Sequence, residues 1–429
     1  MAKLKAVIFS VRNVFFDDRL DKKQLENKYT NPLMKFINFL STRNIKVIIH
    51  SNTYWYVDNN KDQSLANYFK SKTEQDIQDY NSKNYPNMPK KPRADAVPFI
   101  LKNENLQPNE VIYIGANEND WKACINSKML FIKATWILNN KDIKYGLYFE
   151  DTPALARFID ICCIQANKKD MYHYQDDHIN LYTLSPFSTL KPQLAQYSAS
   201  ARSTAKQLGN EALPDFWLML LISKIYFSGL YLQIKNIIAF PGHKVGSGNE
   251  VMDKALDIFS KCFRITYLPN ALIRHTQSTK SQDARNNGNK ALLSIYNHLN
   301  TLMLNNQPKK GLYGNECKNN YHYQGKTTLL IDDIVTAGYS FDAAKLLLEA
   351  AGAKVICLAW LKTINTDLII SKNKLPTNYS INRQISDSKD LFPHPNSYNI
   401  PYTSIIKNNY DAGNELDELF TKFTTWNFT

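Results

Sequence analysis

The sequence predicts an α/β protein: two doubly wound parallel-sheet domains joined by a helical connector. Three observations predict it. Short apolar runs alternate with helical patterning through the first 150 residues, as consecutive strand–helix units require. Far downstream, Leu329-Leu330-Ile331 is a strand buried on both faces. Asp332-Asp333, a small-residue turn, a helix over Phe341–Ala351, the stop Gly352 and a strand over Lys354–Leu361 follow it. The chain's 429 residues suffice for two or three cores. The expected division is 1–150, a connector over 151–205, a second domain over 206–370 and an extension over 371–429.

In order, strands are expected at Leu4–Phe9, Ile45–His50, Glu110–Ile114 and Met129–Ile132. A helix over Pro32–Leu40 follows the first strand, and one opened by Lys91-Pro92 runs to Leu101. The polar stretch Asp58–Pro89 reads as a helical cap or a long loop. Asp151–Lys235 reads as mostly helical, with Asp170–Thr189 a polar connector. Phe216–Ile234 is rich in Leu, Ile and Tyr, but Lys224 and Gly229 interrupt it and Pro214 opens it, so it reads as a buried helix rather than a membrane span. Asn236–Phe240 is the next strand, then Pro241–Gly248 and a helix over Glu250–Phe263. Asn365–Pro401 is polar and Pro-rich, and Glu415–Trp426 is a short terminal helix.

Net charge is +13 and the isoelectric point about 9.2. Between Lys235 and Lys310 eleven Lys or Arg face four Asp or Glu, which suits a phosphate-rich ligand and leaves room for a nucleic-acid partner. Six cysteines contain no Cys-x-x-Cys pair and several lie in apolar segments. They read as reduced, buried thiols of a cytoplasmic protein. Met-Ala-Lys-Leu-Lys-Ala-Val enters a strand at once, so no signal peptide is expected.

The chemistry concentrates after Ile331. The loop that follows such a strand is where ligands bind. The coming helix N-terminus offers free N–H groups to a phosphate. Gly338 permits close backbone approach, and Thr336 and Ser340 add hydroxyls. Asp332 and Asp333 suit hydrogen bonds to a ribose diol, or Mg²⁺ held through water. A ribose 5-phosphate is the inferred ligand. The Gly-rich loop carrying Lys244 after the Asn236–Phe240 strand is a second phosphate site.

Asp332-Asp333-Ile334-Val335-Thr336-Ala337-Gly338-Tyr339-Ser340 resembles the phosphoribosyl-pyrophosphate (PRPP) motif of type I phosphoribosyltransferases, closest to the ComF-like branch. Tyr339 is bulkier than the small residue common there. The resemblance implies that Asp332 and Asp333 hold the ribose and the metal, and that Thr336, Ala337, Gly338, Tyr339 and Ser340 seat the 5-phosphate. It also implies a flexible loop over Ala271–Asn289, in which Arg274, Lys280 and Arg285 clamp pyrophosphate beside Lys244. The spacing after Gln282 is shorter than in the family. Implied are Mg²⁺, PRPP as substrate, and an acceptor that the sequence leaves open.

Residues 1–150 resemble the haloacid dehalogenase (HAD) superfamily: a catalytic loop after the first strand, Ser51 after the second, Lys91, and a Gly-Asp-like loop at Gly115. Ser10 stands where the family's nucleophilic aspartate belongs, Arg12 at its acid/base aspartate, and Ala116 at a metal-binding aspartate. A hydroxyl forms no acyl-phosphate and gives Mg²⁺ no charge. The domain is therefore expected to be a pseudophosphatase. Ser51, Lys91 and Arg12 would converge on one crevice that binds phosphate or nucleotide, or the domain is a scaffold that docks a partner or another copy of the chain. Such a fusion resembles effectors of bacterial retron antiphage systems, restrained by a reverse transcriptase–DNA complex. It also resembles phosphoribosyltransferases of stress-response operons. A non-catalytic PRPP- or nucleic-acid-binding regulator is the remaining reading.

Overall fold

The computed structural model describes residues 4–19, 25–57, 61–73, 75–139, 145–164, 171–206, 209–279, 294–376, 382, 384, 387–390, 396–407 and 411–428. The first sheet holds β1 (Ala6–Phe9), β2 (Lys46–His50), β3 (Ile77–Tyr80), β4 (Val111–Gly115), β5 (Leu130–Lys133) and β6 (Leu147–Tyr148). Its order is β3-β2-β1-β4-β5-β6 and every pairing is parallel. β1 and β4 are wholly buried, so they read as unbroken apolar runs rather than alternating ones. Chain order reverses between β1 and β4. A crevice opens beyond the carboxyl ends of such a pair because the connecting helices diverge to opposite faces.

The second sheet adds β7 (Tyr172–Gln175), β8 (Asn180–Phe187), β9 (Asn236–Ala239), β10 (Thr266–Tyr267), β13 (Thr327–Val335) and β14 (Lys354–Thr363). Between β10 and β13 lies a separate antiparallel pair, β11 (Leu272–Arg274) with β12 (Leu302–Leu304). The sheet order is β10-β9-β13-β14-β8-β7, parallel except for the β7–β8 hairpin. Here the reversal falls between β9 and β13.

Four local expectations change. Asp58–Pro89 holds a helix, Leu65–Thr73, and then β3, which extends the sheet as its edge strand. Within the expected connector Asp170–Thr189 lies the β7–β8 hairpin, Tyr172–Phe187, whose β8 pairs with β14; its Tyr- and His-rich composition hid a strand that is apolar where it meets the core. The polar tail holds a second hairpin, β15 (Leu368–Ser371) with β16 (Ser397–Ile400). Asp332 and Asp333, expected at the strand's C-terminal end, are followed by two further strand residues, because β13 runs on to Val335. Pro214–Phe227 is the expected buried helix, and no described helix is long and apolar enough to cross a membrane.

One hydrophobic cluster runs through both sheets and the helices between them. Tyr226 donates to the carbonyl of Val111 at 2.6 Å and Tyr231 to that of Lys128 at 2.9 Å. Asp160, 6% exposed, gathers Lys422 at 3.0 Å, the Trp426 indole at 3.0 Å and Arg43 at 3.4 Å. Burial pushes its carboxyl up, but the indole and the two cations outweigh that and hold it below the usual range. The terminal helix Asp411–Thr425 packs on helix Pro192–Lys206, and Phe428 and Trp426 reach Phe39 of the first sheet's layer. The C-terminus is thus a strap across the two halves. Asp160→Ala is expected to cost about 1.5–3 kcal/mol, because it removes the buried acceptor of the Trp426 indole and of two cations that stay partly exposed. Urea unfolding at pH 7 measures it. The native carboxyl is depressed, so its contribution holds above the unfolded value near 4 and fades as pH falls below it.

Candidate active site

The crevice at the carboxyl ends of β9 and β13 brings together two loops. From β13 come Asp332, Asp333 and the turn into helix Tyr339–Ala350. Asp332 Oδ1 accepts the N–H of Asp333 at 2.9 Å, and its Oδ2 accepts the Ser340 hydroxyl at 3.1 Å. Asp333 Oδ1 accepts the N–H of Ile334 at 2.6 Å. Burial pushes both carboxyls up, and Asp333 pushes Asp332 further, well above the ordinary range. Two adjacent half-buried carboxyls suit a ligand that brings cations or hydroxyl donors.

Gly338 caps the helix with φ +89°, a conformation that disfavours a side chain, and an added Cβ would lie 3.1 Å from Leu368. The N–H groups of Ala337, Gly338, Tyr339 and Ser340 meet no acceptor among the described residues. They form the open end of a helix, where an anion sits. The Thr336 hydroxyl is engaged with that of Thr363 at 2.9 Å.

From β9 come Pro241–Gly248, with Lys244 exposed on the loop. The loop's support is Arg274, and this corrects an expectation. Arg274 is not a clamp on a flexible loop: it ends β11, is 4% exposed, and has a protein partner at each of its three nitrogens. Its Nε donates to the Gly242 carbonyl at 2.6 Å, Nη1 to the Thr301 hydroxyl at 2.6 Å and Nη2 to His298 Nδ1 at 3.2 Å. Burial draws the guanidinium down to about 10, with Asp332 opposing. Burial and Arg274 together take His298 to about 3, so its ring is neutral and can accept that bond. Lys280 and Arg285 lie outside the described residues.

Two basic residues were missed. Lys206, at the end of helix Pro192–Lys206, lies close enough to draw the Asp333 carboxyl down. Lys362 is fully buried at the end of β14. Its signal was legible as the one charge closing the apolar run Val355–Leu361.

No described His, Cys, Asp or Glu cluster of three or more is placed to cage a metal. Asp332 and Asp333 supply at most two carboxylates, which fits Mg²⁺, an ion that keeps waters and takes substrate phosphates as its other ligands.

Nearby in the same helix, Asp342 is 2% exposed; Oδ2 accepts the Ser371 N–H at 2.9 Å, and Oδ1 has no partner. Burial raises its carboxyl to about 7. A raised native value means the folded chain holds the proton longer, so this group's contribution is full below pH 4 and is lost as pH rises towards 7. Asp342→Asn is expected to stabilise the protein by about 1–3 kcal/mol at pH 8 and to flatten stability between pH 4 and 7. Thermal unfolding at the two pH values checks it.

The second crevice, at β1 and β4, is a cleft of about 440 Å³ whose lining includes Ser10, Arg12, Ser51, Lys91 and Asp120. The expected convergence is there, but its groups are spent on one another. The Lys91 ammonium donates to Asp120 Oδ1 at 2.6 Å, Ser10 Oγ at 2.9 Å and the His50 carbonyl at 3.1 Å. That uses all three of its protons. Ser10 donates to the same Asp120 oxygen at 2.8 Å, and Ser51 Oγ accepts the Trp55 indole at 2.7 Å. Arg12 is exposed, 4.0 Å from Asp18 and above the Trp55 ring. Mg²⁺ does not fit here: the innermost carboxylate is already neutralised by an ammonium, and its neighbour is a neutral hydroxyl.

No protein-family model matches the chain, and no curated protein does. Solved structures match the N-terminal region. A D,D-heptose 1,7-bisphosphate phosphatase from B. bronchiseptica, complexed with magnesium and phosphate, is 14% identical over 35% of this chain and 96% of its own, with a TM-score of 0.27. A HAD-superfamily hydrolase of subfamily IA from Geobacter sulfurreducens PCA is 15% identical over 37% and 98%, TM-score 0.25. One from Ehrlichia chaffeensis is 18% identical over 37% and 98%, TM-score 0.24. Likenesses of this size do not define an activity.

Proposed function

We propose that the second domain is a Mg²⁺-dependent phosphoribosyltransferase acting on PRPP, and that the first domain is a scaffold without phosphatase activity. One observation carries the reading: a carboxylate pair near the end of β13 and four acceptor-free N–H groups of the turn that follows lie together at the sheet's reversal point. Asp332 and Asp333 hold the ribose diol. The N–H groups of Ala337–Ser340 seat the 5-phosphate, leaving C1 towards the Lys244 loop. The bond from C1 to the pyrophosphate oxygen breaks, and its electron pair leaves on pyrophosphate. A lone pair of the acceptor forms the new bond to C1, and the acceptor gives up a proton. Asp332 and Asp333 would hold Mg²⁺ through water, and the ion would supply positive charge for the departing phosphates; Lys244 adds its charge on the same side. Phosphate seating is ground-state binding, whereas leaving-group neutralisation grows in the transition state.

The test is pyrophosphate release from PRPP and Mg²⁺ with pooled nucleobases, nucleotides and a small-molecule cell extract. A protein that neither binds PRPP nor releases pyrophosphate from it would overturn the reading. In the cell we place the protein as an effector of antiphage defence held in check by a nucleoprotein complex. The net charge of +13 supports a polyanionic partner. Growth arrest on expression, relieved by the nucleoprotein partner, is the outcome that reading requires.

A further inference from the structure

We propose that Lys362 is a positioning residue that aims the backbone of the 336–340 turn at the ligand's phosphoryl group. The proposal rests on the phosphate-seating reading of that turn. Lys362 is 0% exposed, and its Nζ donates to three backbone carbonyls: Thr336 at 2.8 Å, Thr366 at 2.5 Å and Thr363 at 3.2 Å. The Tyr402 ring lies 5.7 Å from the ammonium. Every proton faces the protein, so the side chain itself offers nothing to a ligand.

Its effect runs through the peptide plane. In a trans peptide the carbonyl and the next residue's N–H point to opposite sides. Pulling the Thr336 carbonyl inward therefore turns the Ala337 N–H outward. The next unit is fixed in the same sense, because the Ile369 N–H of β15 takes the Ala337 carbonyl at 2.9 Å and so turns the Gly338 N–H outward. Gly338, at positive φ, is where a peptide plane can flip most easily. Without Lys362 the 336–337 plane is free to present its carbonyl dipole to the phosphate. Thr363–Thr366 and Tyr402 are drawn into the same anchor, so the C-terminal hairpin becomes part of the seat. Burial pulls the ammonium down to about 7, with Asp367 opposing, and the neutral amine would still have two protons to donate.

The experiment is calorimetric titration of ribose 5-phosphate into the full chain, wild type beside Lys362→Met, with steady-state pyrophosphate release from PRPP. The expected result is an affinity for ribose 5-phosphate weakened at least about tenfold and a raised KM for PRPP, with kcat changed less than about threefold. A general loss of structure would not split KM from kcat in this way. Equal affinity in the two proteins overturns the proposal. Wild type that does not bind ribose 5-phosphate overturns the seating reading itself, and this proposal with it. Where Lys362→Met does not fold, the amide resonances of Ala337 and Gly338 in the wild type decide. Both shifting on titration with ribose 5-phosphate supports the proposal; ligand binding that leaves both unmoved overturns it.

Discussion

Asp332→Asn with Asp333→Asn is expected to lower pyrophosphate release from PRPP by about a hundredfold or more, the scale of removing a group that fixes charge at a reacting centre. The same double variant should be more stable than the wild type. In the free protein both carboxyls are raised, by burial first and for Asp332 also by its neighbour's charge. A raised native value means the pair's ionisation costs stability as pH climbs above about 4, the unfolded value. Asparagine keeps one carbonyl oxygen at each position, enough for the Asp333 and Ile334 N–H groups, and turns the contact with Ser340 round so that the amide NH2 donates to the hydroxyl, while removing the two charges. Its gain at pH 7 is expected to be about 1 kcal/mol or more. Opposite signs make the result diagnostic. A dead, more stable protein marks a carboxylate pair kept for function against its own folding cost. A variant that is inactive and less stable would mean the pair is structural, and full activity would remove it from the site.

Lys91→Met is expected to cost about 3–5 kcal/mol of stability, the price of leaving a buried carboxylate without its counter-charge. Asp120 is 0% exposed, and Lys91 is its ion-pair partner at 2.6 Å. The remaining donors to Asp120 are the Ser10 hydroxyl and the Ala116 N–H at 3.2 Å, too few to hold a full charge in that place. Adding Asp120→Asn to Lys91→Met should return all but about 1–2 kcal/mol, because the uncompensated charge goes with it. Urea unfolding of the two singles and the double gives the coupling directly. If Lys91→Met alone were as stable as wild type, the ion pair would not pin the first domain, and the cleft would regain its candidacy as a ligand site. Phosphatase activity should be absent from all four proteins.

The fold class was legible because buried parallel strands must be apolar throughout, and β1, β2, β4, β5, β9, β13 and β14 stand out against the helices between them. What escaped were strands whose composition is set by an edge or by a mixed surface. β3 carries Gln78 and Asp79, β7 carries His173 and Gln175, and β15–β16 sit in a Pro-rich tail. Their membership depends on what they lie beside, which local periodicity does not encode.

The site divides along the same line. The sequence by itself determined the turn: two acids on an apolar strand, Gly338 with its required positive φ, and a helix whose first N–H groups have no intrahelical acceptor, all within ten residues. Tertiary structure alone decided what the distant charges do. Arg274, read as a mobile clamp, is a buried strut under Gly242; Lys91, read as lining a crevice for phosphate or nucleotide unless the domain is a scaffold, is consumed by Asp120; and Lys362, one residue beyond the expected strand, holds the 336–340 turn through the Thr336 carbonyl. A long cationic side chain in sequence is only a reach of several ångströms. Whether it ends in solvent, on a ligand or on a buried carbonyl depends on which acceptors the fold has left without another donor.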